Sequence, residues 1–358
     1  MYQQLCSWDN LLLAYRKASQ GKRGNPSVAA FEYRLEDNLI QLRGELLEKT
    51  YTPGRYVSFY IHDPKRRLIS AAPFRDRVVH HALCNLIEQI FERSFIADSF
   101  ANRIGKGTHR ALDRAQELAR RYRYVLPCDI RQFFPSIDHA ILRETLSVAR
   151  KISNSDVLGL IDRILASGVG VLAEEYAMEY FPGDDLFAVN RPRGLPIGNL
   201  TSQFWANCYL NSFDHFVKRE LHCAGYVRYV DDFLLFEDDK RTLARWRDAL
   251  IERLARLRVT LHVESAQPRP VTEGISFLGF IIFPTHRRLK RRKGIAFQRR
   301  LKKQLRDYAA GIISFDPITA SARGWINHVR YGDTWGLRRA LLNTPIPKPA
   351  RVQLPTDY

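Results

Sequence analysis

The chain carries GYVRYVDDFLLF at residues 225–236, where two adjacent acids, Asp231 and Asp232, separate two mainly apolar runs. Both runs are rich in β-branched and aromatic residues, so the pattern predicts a β-hairpin with the acids at its turn. Two carboxylates at an apolar tip repel each other and are costly to desolvate without a cation. A pair of divalent metal ions would remove that cost and support in-line nucleotidyl transfer. An exposed Asp-Asp turn explains the same residues, because Asp is a common turn residue.

Asp129 is a third candidate acid, since it follows the apolar residues 124–128 and precedes Phe133 and Phe134. Alone it would be interpreted as the polar cap of a strand end. A two-metal site, however, draws its carboxylates from neighbouring strands. Three acids at two strand tips of a strongly basic chain therefore favour the metal site.

The charge of the chain indicates a polyanionic partner. Lys and Arg total 56 against 38 Asp and Glu, a net charge of +18. Eleven of these cations lie between Arg287 and Arg306. A solvated helix face is the ordinary explanation of such a run, but the helical pattern that follows favours a clamp on a phosphate backbone. An acidic membrane surface is a weaker alternative, because the stretch lacks a strong apolar face.

Composition places the chain among globular proteins, with 45% hydrophobic residues in 358. The five cysteines lack metal-ligand spacing and are typical of a reducing compartment. No apolar run reaches the length of a membrane span, and the first residues do not resemble a signal peptide. We therefore expect a soluble, cytoplasmic protein with no membrane partner. Dinucleotide-binding and P-loop motifs are absent from the sequence.

Apolar periodicity predicts helices that alternate with a few hairpin-linked strands, which is typical of an α+β fold. Thr108 is the expected N-cap of one helix. The expected helices are two within residues 1–50, one from Arg75 to about Phe100, one from Thr108, several within 140–192, one from Thr201, one over 241–257 and a last region ending at Leu342. The expected strands are 56–61 and 65–69, 124–130, the hairpin at 225–236, 260–263 and 276–283.

Four motifs occur in the order of the reverse-transcriptase palm. They are DIRQFF at 129–134, GLPIGNLTSQ at 194–203, YVDD at 229–232 and FLGF at 277–280. Over roughly residues 5–345 the chain resembles reverse transcriptases, and it looks most like those of diversity-generating retroelements. Ile197 and Gln203 carry the finer likeness, since group II intron and many other bacterial relatives usually have Gln and Pro there.

The resemblance implies a right-hand polymerase fold with fingers, an antiparallel palm sheet covered by helices, and a helical thumb. The implied division is fingers at 1–75, palm at 76–139 and 193–284, connecting helices at 140–192, a basic thumb at 285–345 and a Pro-rich tail at 346–358. By the same resemblance, Asp129 and Asp231 would ligate two Mg²⁺ ions, with Asp232 beside them and the Ile130 carbonyl helping. Mg²⁺ suits carboxylate and phosphate oxygens, and Mn²⁺ is a possible substitute.

The resemblance also implies contacts with nucleotide and nucleic acid. Phe134 would form the steric gate that selects deoxynucleotides, whereas Phe133 is expected in the core. The other implied nucleotide-binding residues are Lys65, Arg67, Arg75, Ile197, Gly198 and Gln203. The implied primer- and template-binding residues are Tyr229, Phe277, Leu278, Gly279, Arg291, Arg292 and Lys293. No lysine is present at 261–267 to protonate pyrophosphate, so His262, another cation or unassisted departure remain open.

The implied activity is RNA-directed DNA polymerase, with a template RNA, a DNA primer and dNTPs as partners. The retroelement likeness further implies frequent errors opposite adenine and a small basic accessory protein oligomer. A retron, defence or group II intron reverse transcriptase is the nearest alternative. A non-catalytic RNA-binding scaffold with the same fold is the alternative from another class.

Overall fold

The computed structural model describes residues 1–62, 66–147 and 152–347. Lys65, with Asp63 and Pro64, and most of the Pro-rich tail lie outside the described residues. The expectation of an α+β fold is confirmed, because helices surround small antiparallel sheets. Among the described residues, no helix combines the length and the apolar character needed to cross a membrane.

The N-terminal region contains four helices where the sequence predicted two. They are α1 (Tyr2–Leu5), α2 (Trp8–Ser19), α3 (Pro26–Tyr33) and α4 (Leu35–Leu47). Helix α3 begins where Asn25 accepts the backbone N–H of Ser27 and Pro26 occupies the first turn, both favourable for a helix start. The chain leaves helical geometry at Arg34 (φ −124°), which divides α3 from α4.

A hairpin and two long helices follow. The elements are β1 (Val57–Ile61), β2 (Arg67–Ala71), α5 (Phe74–Glu92) and α6 (Thr108–Arg121). The hairpin is as predicted, but α5 ends before Phe100. The N-cap prediction at Thr108 is wrong: Gly107 (φ +93°) is the capping residue and Thr108 the first helical one. The Thr108 hydroxyl instead donates to the Tyr229 hydroxyl at 3.1 Å.

The central sheet has the strand order β4-β5-β3-β6, with β7 also paired to β3. Its strands are β3 (Tyr124–Arg131), β4 (Gly225–Tyr229), β5 (Asp232–Glu237), β6 (Thr260–Leu261) and β7 (Arg269–Pro270). The helices between them are α7 (Phe133–Ser136), α8 (His139–Ser147), α9 (Ser155–Ser167), α10 (Leu200–Tyr209), α11 (Asn211–Arg219) and α12 (Lys240–Arg256). The predicted β4–β5 hairpin is confirmed, since the two strands pair from Gly225↔Phe236 to Tyr229↔Asp232.

A second hairpin replaces the single strand predicted at 276–283. Strands β8 (Ile275–Phe277) and β9 (Phe280–Ile282) reverse at Leu278 and Gly279, and β10 (Arg287–Leu289) pairs with β9. Both turn residues have positive φ, 44° and 91°. Two consecutive left-handed residues are typical of a tight hairpin turn. The sequence analysis did not predict this turn, because it relied on the apolar composition of the segment.

Three helices complete the described chain: α13 (Arg291–Ala309), α14 (Asp316–Val329) and α15 (Trp335–Leu342). They enclose their own apolar cluster, in which the Phe297 and Trp325 rings stack at 4.0 Å. The basic segment therefore has the apolar face that the sequence analysis did not find, with Leu301 and Leu305 buried on it. Two larger clusters cover the two faces of the central sheet, and the residues of β5 from Phe233 to Phe236 enter them alternately.

Gly225 is a position where the sheet leaves no room for a side chain. A Cβ there would lie 2.8 Å from both the Cβ and the carbonyl oxygen of Phe236. We expect Gly225→Ala to lower the free energy of unfolding by roughly 1–3 kcal/mol, measured by urea denaturation. Gly159→Ala in α9 is the control, since its Cβ would meet nothing within 4 Å and should stabilise the helix. Equal midpoints for the wild type and Gly225→Ala would contradict this packing.

Candidate functional site

The three acids lie together at one end of the inner strands β3 and β5 of the central sheet. Asp129 on β3 stands directly opposite Asp232, the first residue of β5. The Ile130 N–H donates to the Asp231 carbonyl at 3.2 Å, and the His262 N–H donates to the Asp129 carbonyl at 2.9 Å. Antiparallel pairing thus brings together residues that are about a hundred positions apart in the sequence.

The turn that carries Asp231 has an unfavourable backbone. Val230 has φ +59°, a left-handed conformation in which a β-branched residue is strained. Arg228 holds this turn, because its guanidinium donates to the Val230 carbonyl at 3.0 Å. The Asp231 backbone therefore depends on a side chain three residues earlier.

Arg228 is itself fixed by a buried ion pair with Asp214 on α11. Its Nε donates to Asp214 Oδ1 at 2.7 Å and its NH2 to Oδ2 at 2.6 Å, and both side chains are fully buried. The Tyr226 hydroxyl also donates to Asp214 (2.8 Å), and Asn207 on α10 accepts from Arg228 (3.2 Å). The sequence analysis missed this network. Its one visible signal was a charged residue inside an otherwise apolar strand.

Electrostatics couple the acids to one another. Burial and, as the second cause, the Asp129 charge raise the pKa of the Asp231 carboxyl to about 6. Arg67 and Arg228 act in the opposite direction and lower this pKa. The two neighbouring carboxylates thus repel each other in a partly buried site.

This donor set fits a divalent cation, because carboxylate and carbonyl oxygens are the ligands that Mg²⁺ prefers. Across residues 1–62, 66–147 and 152–347, no three His, Cys, Asp or Glu side chains are placed so that together they could hold a metal ion. Asp129 and Asp231 could therefore supply only part of the ligands of such an ion. His262 Nε2 lies 3.8 Å from Asp129 Oδ2, and its side chain is half-exposed. A protonated imidazole at this position would stand beside the acids.

The aromatic pair after β3 divides as the sequence predicted. Phe133 is buried, whereas Phe134 is only partly buried and meets it edge-on at 5.7 Å. The Phe134 carbonyl accepts the Leu195 N–H at 2.9 Å, which ties this turn to the segment before Gly198. Its role as a gate stays a prediction.

Residues 197–199 are bound to the edge of β2. The Ile197 carbonyl accepts the Ser70 N–H (2.8 Å), while the Asn199 side chain donates to the Ser70 carbonyl (2.8 Å) and accepts the Ala72 N–H (3.0 Å). Gly198 has φ +117°, and a Cβ there would lie 3.0 Å from the Ile69 side chain. The sequence analysis gave this glycine as an implied nucleotide-binding residue, but its close neighbour in the structure is the Ile69 side chain on β2.

The predicted phosphate-binding cations have different surroundings. Arg67 is exposed on β2, and its positive charge lowers the pKa of Asp231. Arg75 instead pairs with Glu45 on α4 and lies over the Tyr51 ring, so a nucleotide contact would compete with that pair. Gln203 is exposed on the first turn of α10.

The predicted primer-binding segment requires one correction. Phe277 is fully buried in the second apolar cluster, so its side chain cannot contact nucleic acid. The Leu278-Gly279 turn is the accessible part, and a Cβ on Gly279 would lie 3.8 Å from the Lys293 side chain. Arg291 and Arg292 are exposed on the first turn of α13. Tyr229 is partly buried beside Asp232.

Comparison with known proteins identifies a matching family. The family model described as reverse transcriptase (RNA-dependent DNA polymerase) matches residues 62–282, more than half of the chain. Protein YkfC of Escherichia coli K12 is 25% identical over 304 residues, covering 72% of this chain and 73% of YkfC. The group II intron-encoded protein LtrA of Lactococcus lactis is 26% identical over 185 residues, covering 51% of this chain and 28% of LtrA. A structure of apo telomerase from Candida tropicalis has a TM-score of 0.46 at 11% identity, covering 84% of this chain and 63% of that one.

The buried Arg228–Asp214 pair yields a stability prediction. Asp214→Ala leaves Arg228 buried without its partner, and we expect it to lower the free energy of unfolding by about 3–5 kcal/mol. Glu252→Ala is the matched control, because it breaks the Arg256–Glu252 pair on the surface and should cost at most about 1 kcal/mol. Urea denaturation measures both. Similar losses for the two variants would show that the buried pair contributes no more to stability than the surface pair.

Proposed function

The chain belongs to the reverse transcriptase family of RNA-directed DNA polymerases, and from this premise we propose that Asp129 and Asp231 hold two Mg²⁺ ions for DNA synthesis on an RNA template. The observation that carries the proposal is the placement of Asp129 and Asp231 side by side, because β3 pairs with β5 at Asp129 and the next residue, Ile130, donates its N–H to the Asp231 carbonyl. Asp232 stands beside them. Bound Mg²⁺ would activate the primer 3′-OH and stabilise the departing pyrophosphate.

The residues around the acids would orient the reactants. Arg67, whose charge reaches Asp231, would hold the triphosphate of the incoming dNTP, since guanidinium groups bind phosphate through paired hydrogen bonds. The partly exposed Phe134 ring would lie beneath the sugar and exclude a 2′-OH. The Leu278-Gly279 turn and Lys293 would support the primer end. Holding the reacting groups in line is the main contribution that such contacts make to the rate.

The proposal predicts that Asp231→Asn abolishes primer extension. The amide keeps the shape of the side chain but loses the charge that would hold Mg²⁺. Extension of a DNA primer on an RNA template with Mg²⁺ measures the effect, and circular dichroism checks the fold. Glu252→Gln, an exposed change on α12, should extend the primer as the wild type does. Undiminished extension by Asp231→Asn would exclude Asp231 as an essential metal ligand, whereas a wild type that fails to extend the primer would favour the non-catalytic RNA-binding scaffold.

Within the family, we propose a polymerase of a diversity-generating retroelement that copies a template-repeat RNA with frequent errors opposite adenine. Ile197 and Gln203 support this subtype. The Ser70 N–H fixes the Ile197 carbonyl, so the residue presents a branched apolar side chain where relatives present an amide. Both the hydrogen bonding and the shape near the templating base would change. A small basic accessory protein oligomer is the expected partner.

The similarity to LtrA favours a second candidate, a group II intron-type reverse transcriptase. The two proposals differ in what surrounds the coding sequence. A retroelement requires two near-identical repeats in the neighbouring DNA that differ mainly at adenines of one copy. An intron-type enzyme requires flanking intron sequence instead.

The low-fidelity proposal predicts that Ile197→Gln reduces misincorporation opposite template adenine. Restoring an amide should discriminate better against wrong pairs, because a polar group left without its partner is costly. Sequencing of cDNA made on a template of balanced composition measures errors at each base. Ile197→Leu is the control, because it keeps the apolar volume and should keep the error spectrum. An unchanged adenine error rate in Ile197→Gln would exclude this role for Ile197.

A further inference from the structure

A cavity of about 200 Å³ lies between α2, α5 and the start of α10. Its lining includes Lys17, Lys22, Arg77 and His80, and it extends to Gly198 and Gln203. Residues 198–200, which β2 holds through Ser70 and Ala72, form part of the same wall. The cavity therefore adjoins the place where Gln203 would meet a templating base.

The charge of this cavity is unbalanced. Among the described residues that line it, three carry a full positive charge and none is a carboxylate. Lys17 donates to the Asn85 side chain and Arg77 to the Ala72 carbonyl, both neutral acceptors. Glu88 is near enough for Lys17 to lower its pKa against the effect of burial, but it is not part of the lining. Such a concentration of cations is suited to an anion.

The histidines add neutral hydrogen-bonding groups. His80 is fully buried, and its Nδ1 has no hydrogen-bond partner among the described residues. Burial lowers the pKa of His80 to about 3, and burial together with the charges of Lys22 and Lys17 lowers that of His81 to about 4. Both rings are thus neutral near pH 7, and a neutral imidazole N–H can donate to a phosphate oxygen.

We propose that this cavity binds a backbone phosphate of the unpaired RNA template, on the 5′ side of the templating nucleotide. The inference rests on the proposed function. The proposed function places the primer–template duplex against the Leu278-Gly279 turn and α13, and neither of these elements contributes to the lining of the cavity. The dNTP triphosphate belongs near Arg67, which with Arg228 lowers the pKa of Asp231, and neither of these arginines is part of the cavity lining. The single-stranded template is the phosphate source that remains.

The test compares the binding of primer–template duplexes whose RNA template has a 5′ overhang of one or six nucleotides. Fluorescence anisotropy gives both Kd values without catalysis. We expect the wild type to bind the long overhang more tightly, and the double variant Lys17→Ala/Lys22→Ala to lose roughly fivefold of that advantage, with a shallower salt dependence. Arg16→Ala is the control for a nearby charge, because Arg16 is an exposed neighbour of Lys17 outside the cavity, and the substitution removes one positive charge there.

Either of two results would overturn the inference. The overhang advantage could persist in the double variant, and a raised KM for dNTP in that variant would then assign the cavity to the triphosphate. Alternatively, Arg16→Ala could reduce the advantage as much as the double variant does, which would indicate general electrostatic attraction. Asp231→Asn separates this inference from the proposed function, since it should keep the overhang advantage. A wild type that fails to extend primers but shows the advantage would refute only the polymerase.

Discussion

The buried ion pair between Arg228 and Asp214 is the interaction on which the acidic edge of the sheet depends. Burying two charges is expensive, and only a bidentate geometry with further hydrogen bonds offsets the cost. Here Tyr226 and Asn207 supply those bonds. The remaining donor of Arg228 holds Val230 in a conformation that valine disfavours. The position of Asp231 is thus linked to the packing of α10 and α11 against the sheet.

A second constraint joins the hairpin of β1 and β2 to the acids. Asn199 binds the backbone of Ser70 in β2 and of Ala72 just after it, and Gly198 leaves room for the Ile69 side chain of that strand. Because Arg67 lies on the same strand, Asn199 helps to set the distance between Arg67 and Asp231. The amide acts as a structural bridge between the two halves of the site, and its chemistry explains why a small polar residue occupies a buried position.

The excess positive charge is not spread evenly. One concentration follows β9 and covers the exposed side of α13, and another surrounds the cavity between α2 and α5. The three acids occupy the edge of the sheet within this basic chain. The long-range field of the basic residues would attract a polyanion and hold it by its phosphate backbone. The three acids, in contrast, would have to bind cations before a phosphate could approach them.

The sequence by itself determined which three acids lie together, the hairpin that carries Asp231 and Asp232, the burial of Phe133 next to the less buried Phe134, and the family. These features depend on residue type and on short spacings. Local patterns failed at Thr108, at the 278–279 turn and at Phe277, where a backbone dihedral or burial decides the outcome. Only the tertiary structure decided which distant groups meet. The bond from Asn199 to Ser70 spans 129 positions, and Lys17 lines one cavity with Gln203. Such contacts follow from how elements pack, and periodicity within a short window contains no information about them.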